Sequence, residues 1–424
     1  MFGCNSTALN ISAELLGLSK VEVVKVTPDL SSYEIIIIVK STEKEIPCRV
    51  CGKPTSPNGL ARTIRLRHLP LFDQNTYIEI TPRRGKCNKC DDRPSTTEKM
   101  DWYDAKSKYT KAFEHRMLFD LVNSTVSDVS RKNAADYHTV ANLIDRYIEQ
   151  EVDFNNISKL GVIGIDEISM KKGYRDFVSL ITYRCENKVR ILGVVDGREK
   201  GDIITFFAKI PPHLVKTIKA VCSDLYEGYL NACKEVFGKT VPVVADRFHV
   251  SRLYRKCLVN LRKSELRRLR KVLSENEYKE LSGAIKLLRK HKDYFTDEEK
   301  PIVEKLFELS PKLKLAYQFS RKLTAVFDSD INKRKAKSKL TEWIRVVTES
   351  ELKCFDSFIE TLTKHKQEIA NYFTKRFTSG FVEGFNNKVK VLKRRCYGLA
   401  SSVKLFQRLI IDTVGMERFG FAMA

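Results

Sequence analysis

A chain of 424 residues with 42% apolar content is long enough to bury more than one hydrophobic core, and its length predicts about two to four domains. Lysine and arginine outnumber aspartate and glutamate by 76 to 53, and the formal net charge of +23 favours a polyanionic partner, usually nucleic acid. The first residues lack a basic region, and Glu14 and Lys20 interrupt their apolar stretch. We therefore expect a cytoplasmic protein with neither a signal peptide nor a membrane partner.

The cysteines point to a metal rather than to disulfides. Eleven is an odd number, and a chain without an export signal is not expected to carry a disulfide framework. Four of them form two CxxC pairs, Cys48 with Cys51 and Cys87 with Cys90. Four thiolates suit tetrahedral zinc, so the pairs predict a zinc ribbon. The gap between the pairs is longer than the commonest ribbon spacing, and reduced or redox-active cysteines remain the alternative.

The region around the cysteine pairs is expected to be mostly strand. After a short N-terminal helix, residues 21–26 and 33–39 have strand patterns, and residues 77–80 alternate just before the second pair. His68 lies between the pairs and is not required as a ligand.

A helical period begins near residue 101. One predicted helix includes Phe113, Met117, Leu118 and Leu121, and residues 125–134 and 138–148 predict two more. Their packing face would be Val126, Val129, Ala134, Val140 and Ile144. The outward side chains would be Arg131, Lys132, His138, Thr139, Asn142 and Arg146. The short helix, turn and longer helix are typical of a helix-turn-helix that reads DNA, and an ordinary three-helix bundle with a solvated face is the alternative.

An α/β pattern follows from residue 160. Strands are expected at 161–166, 177–183, 189–195, 217–223 and 241–245, with helices at 202–210 and 226–237. This is the ribonuclease H order, in which the first and fourth strands are neighbours, and here these strands end in Asp166 and Asp224. Two acids at adjacent strand ends can share divalent cations, whereas a solvated strand-end aspartate is the simpler reading of Asp166.

The remaining chain reads as helical and basic from residue 248 to about 375. Residues 252–292 contain 14 lysines and arginines against four glutamates, which favours contact with phosphates over a merely solvated face. In the stretch 378–399, Glu383 lies near a helix start and is followed by Asn386, Asn387, Lys390, Lys393, Arg394 and Arg395. Glu383 is either a third metal-binding carboxylate or a first-turn residue that favours the helix dipole.

Four motifs carry a family resemblance: IGIDE at Asp166, SDLYEGY at Asp224, ADRFH from Asp246 to His249, and VEGFNNKVKVLKRRCYG around Glu383. In this order they resemble the ISL-three family of DDE transposases from bacterial insertion sequences, and the resemblance extends from Cys48 onward. It implies that Asp166, Asp224 and Glu383 bind the metal and that Asp246 and His249 support them. One departure is RRGKCNKCDDRPSTTE, which lacks the aromatic residues expected on either side of the second cysteine pair.

The resemblance implies a protein of mixed α+β and α/β class with five parts. These are strands and a zinc ribbon (1–100), a helix-turn-helix domain (101–155), a ribonuclease H-like core (156–250), a basic all-α insertion (251–375), and a C-terminal helical part of the core (376–424). The implied cofactors are Mg²⁺ or Mn²⁺ at the acids and Zn²⁺ at the cysteines. The implied partner is double-stranded DNA, contacted by Arg131, Lys132, His138, Asn142, Arg146, Asn387, Lys390 and Arg394.

The implied activity is metal-dependent cleavage at the ends of an insertion sequence, followed by strand transfer by at least a dimer, in a bacterial cytoplasm and on the nucleoid when bound to DNA. Two alternatives remain open. One is a sequence-specific DNA-binding protein derived from a transposase, and the other is a nuclease without strand transfer.

Overall fold

The computed structural model describes residues 11–29, 31–170, 177–281, 287–290, 292–399 and 401–420. The chain divides into two compact units. The first contains residues 1–148 together with 410–424, and the second contains residues 149–409. No helix in these described ranges is long and apolar enough to cross a membrane.

Two small sheets make up much of the first unit. Its strands are β1 (Val21–Asp29), β2 (Glu34–Ser41), β3 (Ser56–Leu60), β4 (Ile64–Leu71), β5 (Gln74–Ile80), β6 (Arg83–Lys86) and β7 (Ser95–Thr97). One sheet has the order β1-β2-β5-β4, and the other, antiparallel throughout, has the order β3-β6-β7. The strands expected at 21–26, 33–39 and 77–80 are therefore confirmed. The predicted N-terminal helix is absent from residues 11–20, which form turns and extended chain, and its earlier part lies outside the described residues.

Three helices follow in the first unit: α1 (Lys111–Asp120), α2 (Val126–Lys132) and α3 (Tyr137–Tyr147). Thr110, Thr125 and Asp136 cap their N-termini by accepting backbone hydrogen bonds. Their shared core includes Phe113, Met117, Val129, Val140 and Ile144, and Ile411 from the end of the chain joins it.

The prediction that Ala134 belongs to the packing face is wrong. Ala134 is exposed in the turn between α2 and α3, where its φ of 44° carries the chain through a left-handed conformation. That turn shifts the helical period by one residue, and Ala135 is buried in its place.

The second unit is built on a five-stranded sheet. Its strands are β8 (Gly161–Ser169), β9 (Phe177–Cys185), β10 (Lys188–Asp196), β11 (Ile218–Ser223) and β12 (Val243–Ala245). They lie in the order β10-β9-β8-β11-β12, with β9 antiparallel to both β10 and β8, and with β8, β11 and β12 parallel to one another. All five strands expected from the sequence are present.

Helices cover both faces of this sheet. On one face Ile163, Ile165 and Val221 pack with α4 (Lys200–Ala208) and α6 (Glu227–Phe237), and the short α5 (Pro212–Val215) lies between these helices in the chain. On the other face Val162, Cys222 and Val244 pack with the long helical segment that follows β12. The near-continuous burial of β8 explains its run of β-branched residues.

The helical segment contributes Tyr254, Phe327, Trp343 and Phe358 to the large core that it shares with this face of the sheet. Its helices are α7 (Arg247–Val272), α8 (Glu275–Glu280), α9 (Glu299–Leu309), α10 (Pro311–Asp328), α11 (Lys333–Glu349), α12 (Asp356–Lys364) and α13 (Lys366–Lys375). They are followed by α14 (Gly380–Arg395) and α15 (Ser402–Phe419). The expectation of a mainly helical stretch from 248 to about 375 agrees with these bounds.

Candidate active site, cysteine cluster and basic surfaces

The first two predicted acids lie on neighbouring strands, and Asp224 directly follows the end of β11. The prediction that β8 ends at Asp166 is wrong, because β8 continues to Ser169 and stays paired with β9 over that length. Strands β8 and β11 are parallel, and their register pairs Gly164 with Cys222. Two residues further along each strand, the same register brings Asp166 level with Asp224, and adjacent strands are about 4.8 Å apart. Both carboxylates are half-buried. Asp166 accepts the backbone N–H of Glu167 at 2.8 Å, and Asp224 accepts that of Tyr226 at 3.0 Å.

Each of these carboxyl groups is held in a surrounding that disfavours its charge. Burial raises the pKa of Asp166 and of Asp224. The negative charge of Asp224 raises the pKa of Asp166 further, and that of Glu167 raises the pKa of Asp224. His249, in the first turn of α7, lowers both values and is therefore close to both acids. Two closely spaced carboxylates of this kind are strongly stabilised in their charged form by a bound hard cation such as Mg²⁺ or Mn²⁺.

The buried Asp246 ties two helix starts to the end of β11. Its backbone N–H donates to the carbonyl of Ser223 at 2.9 Å, and it is the N-cap residue of α7. Its carboxylate accepts the backbone N–H of Ser379, the N-cap residue of α14, at 3.4 Å. Asp246 therefore fixes the first turns that carry His249 and Glu383.

Helix α14 passes very close to β8 because Gly164 has no side chain. A Cβ atom at Gly164 would lie 2.1 Å from a methyl group of Val382 and 2.9 Å from the ring of Phe381. At such separations the helix would have to move away from the strand. The glycine thus allows α14 to approach Asp166, two residues further along the same strand face.

Asn386 is the residue of α14 that contacts the acids. Its side-chain amide donates to Asp166 at 2.6 Å, which lowers the pKa of that carboxyl. Asn386 is buried, and its Oδ1 atom has no hydrogen-bond partner in the described part of the chain. Sequence reasoning grouped Asn386 with the basic run after Glu383 but gave it no role in the site. The available signal was its helical spacing, one turn after Glu383.

Glu383 itself is exposed in the first turn of α14. Within the described residues, the only group of three or more His, Cys, Asp and Glu side chains with ligand atoms within 4.8 Å of one another is the cysteine cluster. Asp166, Asp224 and Glu383 do not form so tight a group. Asn386 reaches Asp166 from the same helix, and Glu383 faces solvent one turn earlier.

A second carboxylate next to Asp166 was also missed by sequence reasoning. Glu167 accepts a hydrogen bond from Arg198 at 2.9 Å, and the Arg198 guanidinium lies over the rings of Phe177 and Tyr226. The Arg198 charge lowers the pKa of Asp224 and partly offsets the effect of Glu167.

The four predicted zinc ligands converge. Their sulfur atoms lie within 4.8 Å of one another, with 3.9 Å between Cys48 and Cys90 and 3.7 Å between Cys51 and Cys87. Backbone N–H groups of Val50 and Lys89 donate to the sulfurs of Cys48 and Cys87. Hydrogen bonds from the backbone of Cys51 and Val50 lower the pKa of Cys48 to about 6, which favours the thiolate that binds metal.

His68 does not belong to this cluster. It is buried beside α1, its Nδ1 atom lies 2.9 Å from the Thr110 hydroxyl, and burial lowers its pKa to about 4.

The outward residues predicted for α2 and α3 are largely accessible. Lys132, His138 and Asn142 are exposed, and Arg131 is exposed while paired with Asp128 at 2.6 Å. Arg146 differs because it donates to the buried carboxylate of Glu114 at 2.5 Å, which also accepts the Tyr147 hydroxyl at 2.6 Å. Arg146 therefore stabilises the buried Glu114 in the first unit and also forms part of that unit's surface.

The outer face of α14 is polar and basic. Asn387, Lys390 and Arg394 are all exposed, and their spacing puts them along one side of the helix. Lys393 donates to the backbone carbonyl of Ser169, at the end of β8.

Comparison with known protein families identifies the class of protein. A model of the ISL-three family, described as transposase, matches residues 163–409, more than half of the chain. The chain therefore belongs to the ISL-three family of DDE transposases, enzymes of insertion-sequence transposition that bind and cleave DNA with divalent metal ions.

Individual relatives agree with this assignment. The chain is 23% identical over 383 residues to the transposase for insertion sequence element IS1001 of Bordetella parapertussis, covering 90% of this chain and 92% of that protein. It is also 20% identical over 388 residues to the transposase for insertion sequence element IS1557 of Mycobacterium tuberculosis, covering 87% and 86%.

Proposed function

We propose that this transposase cleaves the ends of its insertion sequence and joins them to target DNA at a site formed by Asp166, Asp224 and Glu383. The observation that carries the proposal is the pair of half-buried acids on the parallel strands β8 and β11. The sheet order β10-β9-β8-β11-β12 supports a ribonuclease H-like core. The helices α7 to α13 would be its basic insertion.

The donor set fits Mg²⁺ or Mn²⁺, because all three groups are carboxylates and the two buried ones repel each other. When bound, two such ions activate the attacking oxygen and stabilise the leaving oxygen of an in-line displacement at phosphorus. Asp166, within β8, and Asp224, directly after β11, hold their oxygens in fixed positions, and Asn386 orients Asp166. Asp246 holds the first turn of α14, which carries Glu383, and Glu383 would join the two aspartates as the third ligand of the metal ions.

The other parts of the chain would bind zinc, recognise DNA and surround the catalytic core. We assign residues 1–100 to a zinc ribbon held by Cys48, Cys51, Cys87 and Cys90, and residues 101–155 to a helix-turn-helix in which α3 reads double-stranded DNA. Residues 156–250 and 376–409 would form the catalytic core around the insertion at 251–375, and residues 410–424, which the sequence-based division gave to that core, group with the first unit instead. Asn387, Lys390 and Arg394 would contact phosphates close to the acids. Acting on two element ends requires at least a dimer, and the enzyme would work in the bacterial cytoplasm.

The test is to remove cleavage and DNA binding separately. Asp224→Asn should abolish cleavage of a duplex carrying the element end while its affinity stays within about twofold of wild type, because base and phosphate contacts on α3 are untouched. Lys132→Ala should weaken binding and reduce the slope of log affinity against log salt by about 0.9, the value for one lost phosphate contact.

Lys132 is preferred to Arg146 because loss of the Arg146 guanidinium would also leave buried Glu114 without its cation. Gel-shift titrations at several salt concentrations would be run beside a strand-cleavage assay. Cleavage by Asp224→Asn at the wild-type rate would overturn the assignment of the acids. Wild-type affinity of Lys132→Ala at every salt concentration would overturn its assignment to the DNA-binding surface.

A further inference from the structure

A cavity of about 550 Å³ opens in the helical segment between α7 and α10. Six cationic side chains line it: Arg252, Arg255, Lys256, Arg262, Arg289 and Arg321. Among the described residues that line it, none is acidic. We call this cavity the cationic groove.

The positive charges of the groove repel one another. Arg262 is buried, and burial together with the charge of Arg289 lowers its pKa. Six cationic side chains around one cavity produce a positive potential that attracts anionic groups. The charge distribution therefore favours a ligand that brings negative groups into the groove.

The groove also has an apolar side. Leu258 and Leu288 are buried in its wall, Val259 is half-buried, and Phe248 is 52% exposed at one end. Phosphate groups alone would not pack against these apolar side chains. Unpaired bases would, because each base offers an apolar face that packs on aromatic and aliphatic side chains.

The size and direction of the groove further restrict which ligand it can bind. Cavities of roughly 300–1,000 Å³ enclose one small ligand, so the groove is too small for a duplex. Its lining on α7 runs from Phe248 to Arg262, which is roughly 21 Å along the helix at 1.5 Å per residue. At the near end the ring of Phe248 lies 5.8 Å from that of His249, whose charge lowers the pKa of both acids.

We propose that the cationic groove binds an unpaired stretch of one DNA strand beside the acidic site, with phosphates on its arginines and bases on Phe248, Leu258 and Val259. The position beside the cleaved bond rests on the proposed function of Asp166 and Asp224. The binding of a single strand rests on the groove alone and is measured without cleavage.

The test measures the full chain binding a fluorescein-labelled oligonucleotide of eight thymidines by fluorescence anisotropy, in buffer without added divalent metal. The double variant Arg255→Ala with Arg321→Ala removes two groove cations. Its matched control, Lys312→Ala with Lys314→Ala, removes two exposed charges of α10 outside the groove. We expect the groove variant to bind at least tenfold more weakly, with a salt slope lower by about 1.4 from two single-strand phosphate contacts. The control should stay within twofold.

A third variant distinguishes binding of the oligonucleotide inside the groove from general electrostatic attraction to the protein. Val259→Trp fills part of the cavity and keeps every charge, so it should weaken oligonucleotide binding without changing the salt slope. A fully paired hairpin should bind wild type and the groove variant with affinities that agree within twofold. Thermal unfolding of each variant would verify that it is folded.

Equal affinities of the groove variant and its control would overturn the proposal, as would an equal loss for the hairpin. Thymidine monophosphate that competes as tightly as the oligonucleotide would identify a site for a free nucleotide instead. Asp224→Asn should bind the oligonucleotide like wild type. If the groove result holds while Asp224→Asn still cleaves DNA, the catalytic assignment fails and the single-strand site stands.

Discussion

At the scale of single residues, the acid pair predicts how stability responds to charge. The pKa of each carboxyl lies above its usual 3.8, so the native protein holds these protons more tightly than the unfolded chain. The free energy of unfolding of the metal-free protein therefore falls as pH rises from 3.8 through the raised pKa values. The charged form of each carboxyl carries this free-energy penalty in the native protein, and the penalty is complete once the pH exceeds both pKa values.

Asp224→Asn removes that penalty. In the absence of divalent ions at pH 7 the variant should melt at a higher temperature than wild type, by roughly 2–4 °C for each kcal/mol relieved. The difference should shrink as the pH approaches 4. Added Mg²⁺ should raise the melting temperature of wild type, because it binds only the native state, and should leave that of the variant unchanged.

Differential scanning fluorimetry at several pH values measures these shifts. Glu186→Gln, an equivalent change at the exposed turn between β9 and β10, serves as the control and should behave like wild type. A melting temperature of Asp224→Asn below that of wild type at pH 7 would contradict the electrostatic account.

Neighbouring asparagines on α14 provide a second, matched prediction. Asn386→Ala removes the hydrogen bond to Asp166, and loss of such an outer partner typically lowers metal affinity by about 10–100-fold. The Mg²⁺ concentration for half-maximal cleavage should rise accordingly. Asn387→Ala alters an exposed side chain and should weaken DNA binding without moving the Mg²⁺ requirement. Metal titrations of both variants decide this, and equal Mg²⁺ requirements would refute the role of Asn386.

Sequence reasoning identified some of these residues and missed others for a physical reason. Asp166 and Asp224 stand out because each ends a run of apolar strand residues, where a carboxylate needs a solvent or a cation. Asn386 has no such signature, since a polar residue in a polar helix becomes informative only when its contact with Asp166 is known. Ala134 was misassigned because periodicity does not show a left-handed turn residue in advance.

At the scale of elements, the cysteine cluster joins two turns that are far apart in the chain. Zinc at this cluster would hold the β3-β6-β7 sheet together, since structural zinc sites contribute directly to folding. We expect one zinc ion per chain in protein purified without chelator. Cys87→Ser should reduce that content and lower the melting temperature, whereas Cys396→Ser, at the C-terminal end of α14, should change neither.

Metal analysis by mass spectrometry, together with thermal unfolding, measures both effects. Protein that contains no stoichiometric zinc and keeps its melting temperature after chelation would favour reduced cysteines without a structural metal.

Elements with strong periodic patterns were predictable. The strands of the second unit follow from their β-branched runs, and α1 to α3 follow from their apolar spacing. The path of α14 was not predictable in the same way, because it depends on the missing side chain of Gly164 and on the hydrogen bond from Ser379 to Asp246.

At the scale of the whole molecule, the end of the chain belongs to a unit that its sequence position does not suggest. Residues 410–424 group with residues 1–148. Ile411 is buried among α1 to α3, and Arg418 donates to the carbonyl of Tyr147 at 2.7 Å. Our sequence-based division placed these residues with the catalytic core, because a helical pattern shows which face is apolar but not which core receives it.

In the proposed mechanism, one acidic site performs both cleavage and strand transfer. A direct measurement uses a labelled duplex that ends in the cleaved 3′ hydroxyl of the element, a supercoiled target plasmid and Mg²⁺. Wild type should join the labelled strand to the plasmid, and Asp166→Asn, Asp224→Asn and Glu383→Gln should each reduce joining at least a thousandfold while still binding the duplex. Wild-type protein that cleaves the intact element end but never joins it, or Glu383→Gln that joins at the wild-type rate, would contradict the account.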